Sequence, residues 1–318
     1  MLTLVALLLI AYVGILSGGG APLGSTIATL EVINYSAMSP TEIAQFVETC
    51  DTQGLPDIML RLNTFYEWQT SSIETVTVAK YFIAECAKYG MGVSIDMHTW
   101  FTTWDTYFRD TAPNSAANRI LYIDYVKSTI QSFSGSSVEL FSVLNEPQAR
   151  IASSGENQFI LDLITGAKSV TTVPITVKFM GGYSPDTGHY AASIDDAVTV
   201  ISRNTYWDTR NPTIKINNVN EITIMNMVTN AENRNKPLWI TEFGRTNTDQ
   251  LDQKAFVMSW VIFANAKGIA KIIAWDASPE VLAADDSYNL FNGLTPLPAF
   301  YELKSGSLLP LSILFGGR

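Results

Sequence analysis

Two residue types are scarce in this chain, and each scarcity removes a class of chemistry. Cysteine occurs only as Cys50 and Cys86, in no CxxC pair and with no histidine nearby, so the four-ligand Cys/His set of a structural zinc site is out of reach. The same two residues leave a disulfide between consecutive predicted helices and a pair of buried free thiols both open. Histidine occurs only as His98 and His189, which is too few for a multi-histidine metal centre. Neither a metal nor a cofactor is therefore expected. Positive charge is also in deficit, with Lys+Arg 20 against Asp+Glu 30 and a formal net charge of -10. Such a field repels a phosphate backbone, and no nucleic-acid partner is expected. No glycine-rich phosphate loop follows the first predicted strand, which removes a dinucleotide-binding reading.

What is abundant is apolar material. Hydrophobic residues make up 47% of the chain and charged residues 16%, a balance that excludes a disordered chain and supplies a large core. Leu2 to Leu16 is almost continuously apolar and is followed by Ser17-Gly18-Gly19-Gly20-Ala21-Pro22. That run falls short of the ~20 residues of a membrane span and reads as a signal peptide, although no Lys or Arg precedes it. Residues 1–24 are thus expected to be a signal peptide or an N-terminal membrane anchor with a short Gly-rich linker, and residues 25–318 one barrel domain. Either form of leader makes the domain secreted or cell-surface, with a membrane tether if the leader is retained, and a monomer is expected. A second apolar run, Leu308 to Phe315, is too short to cross a bilayer and is expected to pack on the domain.

From Ile27 onward short β-rich runs alternate with longer runs of helical periodicity, the pattern of repeated βα units. Strands are predicted at Ala28–Ile33, Asp57–Leu62, Gly92–Met97, Glu139–Leu144, Ile175–Phe179, Ala197–Ser202, Pro237–Thr241 and Lys271–Ala274. Helices are predicted at Pro40–Cys50, Ser72–Tyr89, Ser115–Phe133, Asn157–Ser169, Asn218–Asn230 and Asp249–Lys267, with a last one at Pro298–Leu303. Ala191–Asp196 is too short for a full helix. Ser39-Pro40-Thr41-Glu42 carries a capping residue, a first-turn proline and an acidic side chain near the positive helix end. Strands apolar on both faces, with polar residues at many strand ends, favour a closed (β/α)8 TIM barrel, class α/β, over an open sheet.

Two glutamates follow apolar strands directly: Glu146 in Leu144-Asn145-Glu146-Pro147 and Glu242 in Ile240-Thr241-Glu242-Phe243-Gly244. In a barrel, such positions project from the mouth at which active sites are built. Paired carboxyl groups are what glycosidic cleavage requires, one protonated for the leaving oxygen and one ionised. With these motifs the chain resembles glycoside hydrolase clan A, and within it most closely family five, the cellulase and mannanase family. The resemblance runs through nearly the whole chain in strand order. It implies Glu146 as acid/base and Glu242 as nucleophile, supported by Arg61 on the second strand, His98 on the third, Asn145 beside Glu146, Tyr206 after the sixth and Trp275 after the eighth. One position departs from the pattern: Asn204-Thr205-Tyr206 stands where the family usually has His-x-Tyr, and an amide cannot titrate.

The expected activity is retaining, endo-acting hydrolysis of a β-1,4-linked polysaccharide, of cellulose/β-glucan or mannan type, on a polysaccharide or oligosaccharide substrate. A β-1,3-glucanase, an exo-β-glycosidase and a non-catalytic carbohydrate-binding barrel are the alternatives. Trp68, Trp100, Trp104 and Trp207 fall in segments that follow strands and are read as candidate sugar platforms, since sugar C–H faces stack on aromatic rings. The plainer reading of each is a loop anchor. Arg61 as a structural ion-pair partner and His98 as a core histidine are the corresponding plain readings there.

Overall fold

The computed structural model describes residues 26–33, 35, 38–63, 73–99, 103–147, 153–185, 188–211, 219–244, 249–277, 289–292 and 294–303. Eight parallel strands close into a barrel in chain order: β1 (Ile27–Val32), β2 (Asp57–Asn63), β3 (Gly92–His98), β4 (Val138–Asn145), β5 (Ile175–Met180), β6 (Ile201–Asn204), β7 (Leu238–Phe243) and β8 (Lys271–Ala277). Closure comes from β8 pairing back onto β1.

Among the described residues seven α-helices lie between or beside the strands: α1 (Pro40–Thr52), α2 (Ile73–Lys88), α3 (Ser115–Ser132), α4 (Ser154–Lys168), α5 (Ala192–Ala197), α6 (Glu221–Asn233) and α7 (Gln250–Lys267). Local sequence explains their ends. Ser39 caps α1 in a reciprocal box with Glu42, and Pro40 occupies the first turn, where its missing N–H costs nothing. Gly268 closes α7 with φ 70°, a left-handed conformation a side chain would strain. Several boundaries shift by a few residues, and two expectations change most. The sixth strand begins at Ile201 rather than Ala197 because Ala197 belongs to the short α5, and the expected helix at Pro298–Leu303 is a 3-10 turn over Phe300–Glu302. Among the described residues no helix is long and apolar enough to cross a membrane.

Side chains two residues apart share a strand face, and this alternation sorts the barrel interior into layers. Met59, Leu140, Val200 and Ile273 form a small apolar cluster of their own with Trp239 packed on it, separate from the main core. Next come buried hydroxyls, including Thr29, Ser94, Thr176 and Ser202, with Thr176 Oγ1 donating to Ser202 Oγ at 2.8 Å. One step further along the same strands stand Glu31, Asp96, Lys178 and Asn204, all buried. The main core lies outside the sheet, where residues such as Leu60, Ile95, Phe179 and Phe243 meet the helices.

Candidate active site

The charged layer at the C-terminal end of the strands is a closed ionic network. Lys178, from β5, is fully buried, and its ammonium meets three carboxylates: Glu242 Oε1 at 2.7 Å, Asp96 Oδ2 at 3.0 Å and Glu31 Oε2 at 3.4 Å. An ammonium has three donors and no acceptor, so each donor has one carboxylate. Arg61 binds Glu31 Oε1 through Nε at 2.8 Å and Glu242 Oε1 through a terminal nitrogen at 3.4 Å, and its guanidinium lies 5.1 Å from the centre of the Trp275 ring. Tyr206 donates its hydroxyl to the other Glu242 oxygen, Oε2, at 2.6 Å, and its ring lies 5.9 Å from that of Trp275.

This environment sets the charge of Glu242. Burial alone would favour the neutral acid, but Lys178 and then Arg61 outweigh it and hold the carboxyl below its usual range. Burial would likewise strip the proton from Lys178, yet Asp96, Glu242 and Glu31 keep it cationic. His98 is pushed down to about 4, by burial first and then by Arg61, so at neutral pH it is uncharged and donates from Nδ1 to Asp96 Oδ2 at 3.3 Å. Glu31, Asp96, His98 and Glu242 place ligand-type atoms within 4.8 Å of one another, as a cation site would. In this chain the ammonium of Lys178 and the guanidinium of Arg61 take the cation's place among them.

Glu146 has different neighbours. It follows β4 with φ 42°, a left-handed conformation costing of order 1–3 kcal/mol in a non-glycine residue, and its N–H is tied to the Lys178 carbonyl at 2.8 Å. Its contact from β6 is an amide: Asn204 Nδ2 donates to Glu146 Oε1 at 2.9 Å and to Asn145 Oδ1 at 3.1 Å, while Asn204 Oδ1 accepts from Thr241 at 2.9 Å. Thr241 therefore fixes which way the amide points. Burial, then the negative charge of Glu242, pushes Glu146 up to about 7, with Asn204, Lys178 and Arg61 opposing. The two carboxyl groups are thus driven apart: one ionised, one retaining its proton through mildly acidic pH. Because Asn204 donates to Oε1, that proton sits on Oε2.

The structure brings Arg61, His98, Asn145, Glu146, Tyr206, Glu242 and Trp275 to this one end of the barrel. It does not bring Trp104 or Trp207 there as platforms. Trp104 sits in a π-helical turn (Trp104–Phe108) and packs on Phe108 and Phe159. Trp207 lies against Trp260 and Phe263, its carbonyl accepting from the Trp260 indole N–H at 2.9 Å. Both are about fully buried, at 1% and 0% exposure, and an indole with no open face cannot receive a sugar ring; both are core residues. Trp68 and Trp100 lie outside the described residues. Cys50 and Cys86 are buried free thiols. Three residues of the network, Glu31, Asp96 and Lys178, are absent from the sequence reading. Each is a lone charge between two apolar neighbours in a predicted strand, as in Val177-Lys178-Phe179, and that is the signal that could have found them.

An eight-stranded βα-barrel with two carboxyl groups driven toward opposite protonation states at its C-terminal mouth is the architecture of a barrel glycoside hydrolase. A family model described as Cellulase (glycosyl hydrolase family 5) matches residues 57–281, and the chain belongs to that family. No curated protein matches the sequence. Among solved structures, the chain is similar to a β-1,4-mannanase of glycoside hydrolase family 113, with TM-score 0.66, 14% identity and coverage of 88% of this chain and 98% of that one. It is also similar to the endo-1,4-beta-D-mannanase of Thermotoga petrophila, with TM-score 0.66, 12% identity and coverage of 87% and 98%. A third is a family 30 subfamily 8 xylanase of Clostridium acetobutylicum, with TM-score 0.63, 13% identity and coverage of 88% and 70%. These likenesses establish the shared barrel.

Proposed function

We propose that this glycoside hydrolase is a retaining, endo-acting enzyme that cleaves β-1,4-linked polysaccharide of glucan or mannan type outside the cytoplasm, with Glu242 as nucleophile and Glu146 as acid/base. The observation that carries the assignment of roles to the two carboxyl groups is the contrast in protonation: Glu242 is held below its usual range and Glu146 is raised to about 7. The family name and the printed names of the mannanase neighbours support the substrate class.

In the first step a Glu242 oxygen attacks the anomeric carbon, the bond to the leaving oxygen breaks, and the Glu146 proton passes to that oxygen. In the second step water attacks the same carbon, Glu146 takes the water proton, and the electron pair of the ester bond returns to Glu242. Tyr206 orients the nucleophile through its 2.6 Å bond. Asn145 has its carbonyl oxygen engaged by Asn204 at 3.1 Å, which aims its amide N–H groups at a substrate hydroxyl. Trp275, half-buried beside Tyr206 and Arg61, is the sugar platform at the point of cleavage.

The test is reducing-end release from cellulose derivatives, glucomannan, galactomannan, xylan and laminarin, with the first-formed anomer read by proton NMR. A β-anomer from a β-1,4-glycan, with fragments of intermediate length early in the reaction, is the expected result. An α-anomer would overturn retention, and no turnover of any β-glycan would overturn the reading as a whole.

A further inference from the structure

The reading above gives Tyr206 a role at Glu242 during turnover and leaves Lys178, with Arg61, only that of holding the carboxyl ionised. We propose that Lys178 is a positioning residue for the second half of the reaction: it holds Glu242 Oε1 so that Oε2 forms the bond to the sugar, then stabilises the carboxylate as that bond breaks. The inference rests on the retaining mechanism proposed above.

The geometry separates the two oxygens of Glu242. Oε1 takes both cations, Lys178 at 2.7 Å and Arg61 at 3.4 Å, while Oε2 accepts from the neutral hydroxyl of Tyr206 at 2.6 Å. Lys178 is wholly buried, whereas Tyr206 and Trp275 are partly open, so Oε2 is the oxygen on the substrate side. In the covalent intermediate Oε2 is bonded to the anomeric carbon and Oε1 is the ester carbonyl oxygen, still receiving the ammonium hydrogen bond. When water attacks the anomeric carbon, the C–Oε2 bond breaks, its electron pair returns to the carboxylate, and the water proton goes to Glu146. The charge that reappears on Glu242 is spread onto Oε1 and meets Lys178 there. The same contact makes Glu242 a weaker base in the first half, so Lys178 favours departure over attack.

The surrounding charges explain why the site is built with lysine. The charged groups facing Lys178 are Glu31 from β1, Arg61 from β2, Asp96 from β3 and Glu242 from β7, and Glu146 after β4 lies within its field. Glu31 and Asp96 use two of the three ammonium donors, which pins the third on Oε1. A planar guanidinium would not reproduce that tripod.

The experiment traps the wild-type full-length protein with a 2-deoxy-2-fluoro β-cellobiosyl or β-mannobiosyl fluoride, finds the labelled peptide by mass spectrometry, and then times recovery of activity. Label on Glu242 upholds the retaining reading; no label anywhere overturns that reading, and Lys178 with it. The same trapping is then run on Lys178→Met, and on Lys178→Met combined with Glu31→Gln, which removes one carboxylate with the cation and keeps a foldable variant available. Charge-assisted hydrogen bonds of this kind predict recovery about 10- to 100-fold slower than wild type, with a pre-steady-state burst on dinitrophenyl glycosides and an acid limb of kcat/KM moved to higher pH. Recovery at the wild-type rate, with activity lost only in proportion to unfolded protein, would overturn the proposal.

Discussion

The two halves of this site treat the same functional group in opposite ways. Around Glu242, β2 and β5 supply two cations and the segment after β6 a phenol, with two further carboxylates holding the cations in place. Around Glu146 the polar partner is an amide, Asn204, itself oriented by Thr241. Both carboxyl groups are desolvated, and burial pushes both upward. What separates them is the cations, which lie against Glu242 and reach Glu146 only as a weaker field. The lesson is that burial need not be varied to divide acid from nucleophile. Placing the compensating charge on one side is enough, and the ionised partner then raises the other.

Breaking the comparison at its charged end carries the largest effect. Glu242→Gln removes the nucleophile and is expected to lower kcat by about 10^4-fold or more, with fluoro-sugar labelling abolished. Glu146→Gln removes the proton donor and is expected to cost about 10^2- to 10^4-fold on polysaccharide. On a dinitrophenyl glycoside, whose leaving group needs no proton, its first step should be nearly unimpaired. The alkaline limb of the wild-type profile, set by loss of the Glu146 proton near pH 7, should vanish in that variant. An equal loss on both substrates would show that Glu146 is not the acid. Tyr206→Phe deletes one donor to an ionised oxygen, worth about 1.5–3 kcal/mol and so about 10- to 100-fold in rate. A donor to the charged form lowers a pKa, so the acid limb should also rise.

The two halves were unequally legible in the sequence. Glu146 and Glu242 stand out because each ends an apolar run, and strand order places both at one end of a barrel. Arg61, His98, Asn145, Tyr206 and Trp275 come from the family resemblance and converge with them. Lys178, Glu31 and Asp96 were not, because alternation in a strand says which residues share a face but not that faces 147 positions apart, as for Lys178 and Glu31, meet inside a closed barrel. Trp104 and Trp207 show the converse error. Proximity to a strand end in sequence was read as exposure, but the chain turns both indoles into the aromatic core beneath the helices. The late start of β6 has a plainer cause, since Ala197 ends the short α5.

The smallest predicted effect probes the neutral half most directly. Asn204→Ala deletes an amide that donates to Glu146 Oε1 at 2.9 Å and to Asn145 at 3.1 Å, and a single neutral hydrogen bond is worth about 1 kcal/mol. The expected loss at the pH optimum is therefore only about 5-fold. The pH profile is more informative than the size of that loss. Asn204 favours the ionised form of Glu146, so deleting it raises the pKa of the acid, keeps the proton to higher pH, and moves the alkaline limb of kcat/KM upward. The deficit against wild type should then be greatest on the acid side and shrink or reverse above pH 7. Asn204→Asp should move the limb further, because it replaces a donor with a second negative charge. An alkaline limb that stays put in both variants would mean that Asn204 does not set the protonation of Glu146, and that burial and Glu242 do so alone.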